Sequence, residues 1–411
     1  MKRYFKLFLI LVACTLWACN AKDSYPEGTS PDVYDGGDIR GEGFGDDGGE
    51  PSGNGANGNS EAGKLTAGEW RDLDNWAFWS NLMTSSQPDQ SGEDYSSYCD
   101  YWGFYTNHRV AVRVKNAEGV AQRDVPVQIV SGEGSKSLYE GRTDNKGEVN
   151  LWIGLTQKQT SVDASALTLV VNGTKQESPV AVTGWGDEVQ WNECTASVTA
   201  TTDIDIAFIV DATGSMIDEI AFLKQDLKDI IGKASAMNTT ASIRTAALFY
   251  RDEDGDDYVT RVNDFSSDLS VTQSFINDQG ADGGGDFPEA VHIALQTGLQ
   301  KLSWREGNCI RLAFMLLDAP PHKNDFVLNS LHQSVPAYAK RGIRIIPVSA
   351  SGIDKPTEFF LRFTALATDA TYVFITNDSG IGGDHLVATV GEYQVELLNE
   401  LIVRLIKHYM E

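Results

Sequence analysis

The stretch "DIAFIVDATGSM", residues 205–216, carries five consecutive apolar side chains into an acid, two hydroxyls and a glycine. Such a run reads as a strand buried on both faces, and the residues after it read as a helix start, because Asp, Thr and Ser are all good N-caps. The pattern repeats downstream. "IRTAALFY", "IRLAFMLL", "IRIIPVS" and "TYVFIT" are further apolar strands, and "YVTRVNDF" is a more polar one. Amphipathic helices are expected over 216–237, 288–302, 326–341, 356–368 and 391–409. This alternation predicts an α/β doubly wound, mostly parallel sheet over 202–411. Right-handed crossovers put the strand C-termini on one edge, where such folds bind ligands. Asp211, residues 251–257, Asp318, residues 349–354 and residues 377–384 should share that face.

Asp211 and Asp318 each end an apolar strand, and Thr213 and Ser215 follow Asp211 at alternate positions. Carboxylates and hydroxyls converging in this way suit a hard divalent cation, Mg²⁺ or Mn²⁺, with Ca²⁺ as a further candidate. The ordered set "DATGS", "GGGDFPEAV" and "LLDAPPH" resembles the von Willebrand factor A family, whose fold is Rossmann-like. The resemblance covers residues 202–411 and implies a metal-ion-dependent adhesion site built from Asp211, Thr213, Ser215 and Asp318. Where the family normally adds a threonine from the loop before the third helix, this loop offers Asp286, preceded by Gly283, Gly284 and Gly285, which allow close backbone approach. Three carboxylates outweigh one dication, so a partner's acid would gain less from it. Asp286 is therefore expected either to act through water or to make the cation a tight structural one.

Capping accounts for "DATGS" but explains neither the distant "LLDAPPH" nor the glycine loop. "RDEDGDDY", residues 251–258, lacks the sixth-position glycine and twelfth-position glutamate of an EF-hand and reads as a solvated acidic loop. His322 reads as a hydrogen-bonded loop residue, and His292 as core-facing or capping. For catalysis the pattern is poor. Thr213 stands where a phosphatase of the haloacid dehalogenase type needs its second aspartate, and the sequence has no P-loop, no G-x-S-x-G elbow after a strand and no His/Cys cluster at zinc spacing. The expectation is a binding protein, not an enzyme, with no catalytic residues.

The formal net charge of -25 over 411 residues offers no basic face for a phosphate backbone, which argues against nucleic acid as a partner. At the N-terminus, "MKRYFKLFLILVACTLWACN" puts Lys2, Arg3 and Lys6 ahead of an apolar run that ends at a small residue and a cysteine. This resembles a bacterial lipoprotein signal over 1–18, with Cys19 acylated; Cys14 fits the letters but leaves an apolar core of only about 7 residues. The run falls short of the roughly 20 apolar residues that a membrane span needs. Residues 19–63, rich in Gly and Asp, read as a disordered acidic tether. Residues 64–107 hold an aromatic cluster expected to pack on the domain that follows.

Residues 108–200 show short alternating strands with frequent turns, the pattern of an all-β sandwich. "VRVKNAEGVAQRDVPVQI" and "EGRTDNKGEVNLWI" resemble the carboxypeptidase-regulatory or transthyretin-like modules of exported bacterial proteins. Cys99 and Cys194 flank this segment and are a candidate disulfide in an oxidising compartment, while Cys309 opens an apolar run and reads as a buried thiol. Together these features anticipate a lipoprotein of the cell envelope, anchored at the outer membrane and facing the surface. It would bind a protein or a matrix or envelope component through its metal site. A structural part in an envelope assembly is the alternative, and a Mg²⁺-dependent hydrolase the more distant one.

Overall fold

All eight residues of the strand that ends in Asp211 are buried, so both of its faces are covered and it lies inside a sheet. The computed structural model describes residues 63–85, 94–132, 136–199, 203–237, 241–253 and 256–411. The expected signal, Cys19 and the rest of residues 19–62 lie outside them. Among the described residues no helix is long and apolar enough to cross a membrane.

In chain order the first elements are β1 (Thr66–Trp70), α1 (Trp76–Thr84) and α2 (Ser97–Trp102). Next come β2 (Arg109–Lys115), β3 (Pro126–Ser131), β4 (Lys136–Arg142), β5 (Glu148–Trp152), β6 (Leu167–Val171), β7 (Thr174–Lys175) and β8 (Trp191–Thr195). These seven strands make a three-stranded sheet, β5-β2-β8, and a four-stranded sheet, β4-β3-β6-β7. Period-two burial is plain in β6, where Leu167, Leu169 and Val171 are buried and Thr168 and Val170 only partly so. The two sheets touch through β4 and β5: a Cβ on Gly141 would strike Val149 and crowd Leu151.

The remainder forms β9 (Ile204–Asp211), α3 (Ile217–Met237), β10 (Ile243–Tyr250), β11 (Thr260–Ser266), α4 (Leu269–Asn277), α5 (Val291–Gln300) and β12 (Ile310–Leu317). It ends with α6 (Asp325–Lys340), β13 (Ile343–Ser349), α7 (Lys355–Ala367), β14 (Tyr372–Ile375), β15 (Glu396–Leu397) and α8 (Leu398–Met410). The large sheet runs β11-β10-β9-β12-β13-β14-β1-β15. Pairing is parallel from β10 to β14 and antiparallel at both margins. Its register sets Tyr250 beside Asp211 and Ser349 beside Leu317, so these strand ends form one edge. The helix α4 has no counterpart among the expected elements. Its β-branched Val271 and Thr272 are weak helix formers, and the side chain of Asp268 starts it by accepting from Ser270 N at 3.1 Å.

The aromatic segment sits differently from expectation. β1 enters the large sheet between β14 and β15, with Gly68 opposite Phe374, and a Cβ at Gly68 would collide with the Phe374 and Tyr393 rings. Trp79 stacks on Phe359 and Phe104 on Phe363 of α7, with ring centroids 5.7 and 4.1 Å apart. Trp102 Nε1 donates to Pro356 O at 2.8 Å. The segment therefore belongs to the α/β layer, while Trp76 also reaches the small sheets at Trp152. This placement undoes the expected disulfide. Cys99 lies on α2 with its Sγ 3.6 Å from Met83 Sδ, whereas Cys194 lies on β8, and both are free and buried, as is Cys309.

The small sheets meet the large one at the edge opposite Asp211. Asp124 accepts from Arg142 Nε at 2.5 Å and from Arg311 Nη1, at the start of β12, at 3.0 Å. Asn150 Nδ2 donates to Asp369, just before β14, at 2.5 Å.

The aromatic segment is locked to α7 by a buried ion pair, in which Arg362 Nη2 and Nε donate to the two oxygens of Asp72 at 2.6 and 3.0 Å. Breaking one side leaves the other charge buried alone, so Asp72→Ala should cost about 3–5 kcal/mol in urea unfolding. The double variant Asp72→Ala with Arg362→Met should recover part of that loss. A single-variant cost below about 1 kcal/mol, the range of exposed pairs, would contradict this role.

Candidate metal centre

Asp211, the last residue of β9, is fully buried. Its Oδ1 accepts from Thr213 N at 3.0 Å and from Thr213 Oγ1 at 2.7 Å, which is the local turn that such residues favour. Thr213 Oγ1 lies 3.2 Å from Ser215 Oγ, so the two hydroxyls line up beside the carboxylate. Asp211 Oδ2 makes no hydrogen bond of normal geometry among the described residues, although the buried Tyr250 hydroxyl is near enough to lower the carboxyl, and Oδ1 of the buried Asp318, one residue beyond β12, makes none either. Turn formation thus uses one oxygen of Asp211 and leaves the other over.

A further buried carboxylate, within electrostatic reach of these two, is Glu289. Glu289 N donates to Pro320 O at 2.8 Å, which pins the residue against the "DAPPH" loop. Its Oε2 also lacks a hydrogen-bond partner among the described residues. The glycine loop brings it there. Gly214 N donates to Gly283 O at 2.9 Å, Gly283 and Gly284 have φ of 78° and 73°, and a Cβ on Gly284 would crowd Thr213 and Glu289. A left-handed backbone this close to two side chains calls for glycine. Asp286 is exposed. It groups with Asp252 and His322, one ligand atom from each lying within 4.8 Å of the others; among the described residues neither Asp286 nor Glu289 forms such a trio with Asp211 and Asp318. The signal for Glu289 was present in "GGGDFPEAV", where an acid directly precedes the apolar face of a helix.

Electrostatics separate these acids from ordinary surface ones. Burial raises the Asp211 carboxyl and nearby Asp318 adds to the shift, while the Thr213 donors oppose it. Burial likewise raises Asp318, opposed by the Ser215 hydroxyl and reinforced by Glu219. Glu289 is pushed up to about 9, first by burial and then by repulsion from Asp211, Asp252 and Asp318. Buried carboxylates with leftover oxygens, flanked by hydroxyls, are the donor set that a hard dication satisfies. The residues fit such an ion: Asp211, Thr213, Ser215 and Asp318 would hold it, with Glu289 in electrostatic reach of the two aspartates.

The surrounding loops are tied down. Arg251 Nε donates to Ala212 O at 3.0 Å. Glu219, on α3, pairs with His385 Nε2 at 3.0 Å and accepts from Ser351 N at 3.1 Å, which joins the loops after β13 and β14. The acidic loop after β10 is less solvated than its composition suggests, because Asp252 is buried with its Oδ1 2.7 Å from His322 Nε2.

Residues 205–342 match the family described as von Willebrand factor A domain. The match supports a von Willebrand factor A domain over that stretch, about a third of the chain. Two curated proteins share sequence with it. The alpha-protein kinase vwkA of Dictyostelium discoideum is 27% identical over 149 residues, which is 36% of this chain and 23% of that protein. A putative ariadne-like RING finger protein, R811, of Acanthamoeba polyphaga mimivirus is 33% identical over 119 residues, 29% of this chain and 11% of that protein. The matched stretch thus spans less than a quarter of either relative. Among solved structures, the conserved hypothetical protein BatB from Bacteroides thetaiotaomicron is similar at 11% identity and a TM-score of 0.34, over 50% of this chain and 98% of BatB. The SpRpn10 VWA domain is similar at 14% identity and a TM-score of 0.33, over 48% of this chain and 93% of that one.

Glu289 gives the protein a measurable pH dependence. Its folded-state value is raised from 4.5 to about 9, so over that range the folded state binds more protons than the unfolded one. Stability of the metal-free protein should therefore fall as pH rises. Glu289→Gln should flatten this dependence and raise the thermal midpoint of EDTA-treated protein by a few degrees on the alkaline side. An unaltered pH profile in thermal unfolding would contradict the placement of Glu289.

Proposed function

We propose that this chain is a binding protein whose von Willebrand factor A domain takes up a divalent cation, Mg²⁺ or Mn²⁺, at Asp211, Thr213, Ser215 and Asp318. Through that cation it engages a protein or a matrix or envelope component. One observation carries the proposal: Asp211, Asp318 and Glu289 each keep a buried oxygen without a hydrogen-bond partner among the described residues. These acids lie where the C-terminal ends of parallel strands meet, the edge at which such sheets bind ligands. A dication there offsets the cost of burying the charges. Domains of this family commonly act in protein–protein interaction, which supports a binding role over a catalytic one.

The anchoring part of the proposal rests on the sequence. Acylation of Cys19 and the acidic tether that follows would hold the folded part at the cell envelope, on the outer membrane and facing the surface. In this scheme the two small sheets are a β-sandwich of the carboxypeptidase-regulatory type that serves as a spacer.

A second reading draws support from Glu289. Three buried carboxylates exceed the charge of a dication, which suits a tightly held structural cation within an envelope assembly better than one that shares its charge with a partner's acid.

Capture of envelope components on immobilised protein separates the two. In Mg²⁺, wild type should retain a partner that is released by EDTA and absent from the Asp211→Ala variant. Retention that survives both treatments would overturn the metal-dependent binding role.

A further inference from the structure

Beside the hard-oxygen centre lies a second group of side chains of different chemistry. Asp252, two residues beyond β10, is buried and its Oδ1 stands 2.7 Å from His322 Nε2. Asp286 adds a third ligand atom, and the three lie within 4.8 Å of one another. His292, on α5, is fully buried, and its Nδ1 makes no hydrogen bond among the described residues. Its Nε2 lies 3.1 Å from Glu253 Oε1, and it lies in electrostatic reach of His322 and Asp252. Two imidazoles and three carboxylates thus gather in one place. Among the described residues no lysine or arginine forms an ion pair with any of the carboxylates. A buried histidine with an unpartnered nitrogen is costly, and a ligand shared with the neighbouring carboxylates gives that nitrogen a use.

We propose that Asp252, Asp286 and His322 form a second cation site, with His292 and Glu253 beside it, that takes a borderline transition-metal dication of the zinc class. The ligand set decides the class. Imidazole nitrogen with carboxylate oxygen suits Zn²⁺ or Co²⁺, whereas Mg²⁺ demands near-octahedral oxygen and dehydrates reluctantly. A metal-bound imidazole nitrogen must be unprotonated, so the cation would replace the hydrogen bond between His322 Nε2 and Asp252. Glu289 feels the charge of both Asp211 and Asp252, so it is in electrostatic reach of both sites. The second site stands independently of whether the Asp211 centre serves adhesion.

The test uses the whole purified chain, stripped of metal and then saturated with Mg²⁺, with Zn²⁺ bound at equilibrium counted by elemental analysis and Co²⁺ followed by its visible absorption. Wild type should hold one Zn²⁺ in excess Mg²⁺ and give a Co²⁺ spectrum with nitrogen ligation. His322→Gln and the exposed-site variant Asp286→Asn should each weaken Zn²⁺ by at least about tenfold, while thermal stabilisation by Mg²⁺ is unchanged, which also reports that they fold. Asp211→Ala should lose the Mg²⁺ effect and keep the Zn²⁺. Zn²⁺ binding that is indifferent to both His322→Gln and Asp286→Asn, or that disappears with Asp211→Ala alone, would overturn the second site.

Discussion

Asp211, Asp318 and Glu289 are buried within electrostatic reach of one another, and they cannot all be charged without a cation or bound protons. Much of the local architecture follows from this constraint. The parallel strands bring Asp211 and Asp318 to the same edge, the doubled left-handed glycine lets a loop pass over Thr213, and the bond from Glu289 N to Pro320 O holds the third acid at the first two. The start of α3 lies just beyond Ser215, and its aligned peptide dipoles soften the repulsion without removing it.

Elsewhere the fold handles buried acids with arginine. Asp205, at the opposite end of β9, is fully buried and accepts from Arg244 Nη2 and Arg305 Nη1, each at 2.7 Å. Asp124 has Arg142 and Arg311, and Asp72 has Arg362. These pairs fasten the small sheets and the aromatic segment to the large sheet, so one end of the sheet is a neutralised structural seam. The acids at the Asp211 end have hydroxyls, imidazoles and idle oxygens instead. The contrast within one chain is what distinguishes a place for a ligand from ordinary buried charge.

The parallel strands were legible in the sequence because burial on both faces demands continuous apolar runs, and Asp211 and Asp318 were legible because each ends such a run. β1 was not, since its partner Tyr372 is paired with Trp70 across about three hundred residues and nothing local in "TAGEW" announces that sheet. The same long-range placement removed Cys99 from the small sheets and with it the expected disulfide. The burial of Glu289 rather than Asp286 from the glycine loop has a different origin. Spacing shows that a glycine loop can approach the centre, but which of two acids turns inward depends on the φ of Gly283 and Gly284 and on the contact with Pro320. His322 read correctly as a hydrogen-bonded loop residue, and its partner, Asp252, came from a loop that composition alone marks as solvated.

The central claim is that the leftover oxygens of Asp211 and Asp318 exist to bind a cation. Crystals of the chain equilibrated with Mn²⁺, measured for anomalous scattering, test it most directly. The predicted result is a Mn²⁺ peak in contact with Asp211 and Ser215 and on the side of Asp318. A difference map with no anomalous peak at these residues, in crystals whose loops superpose on the arrangement described, would contradict it.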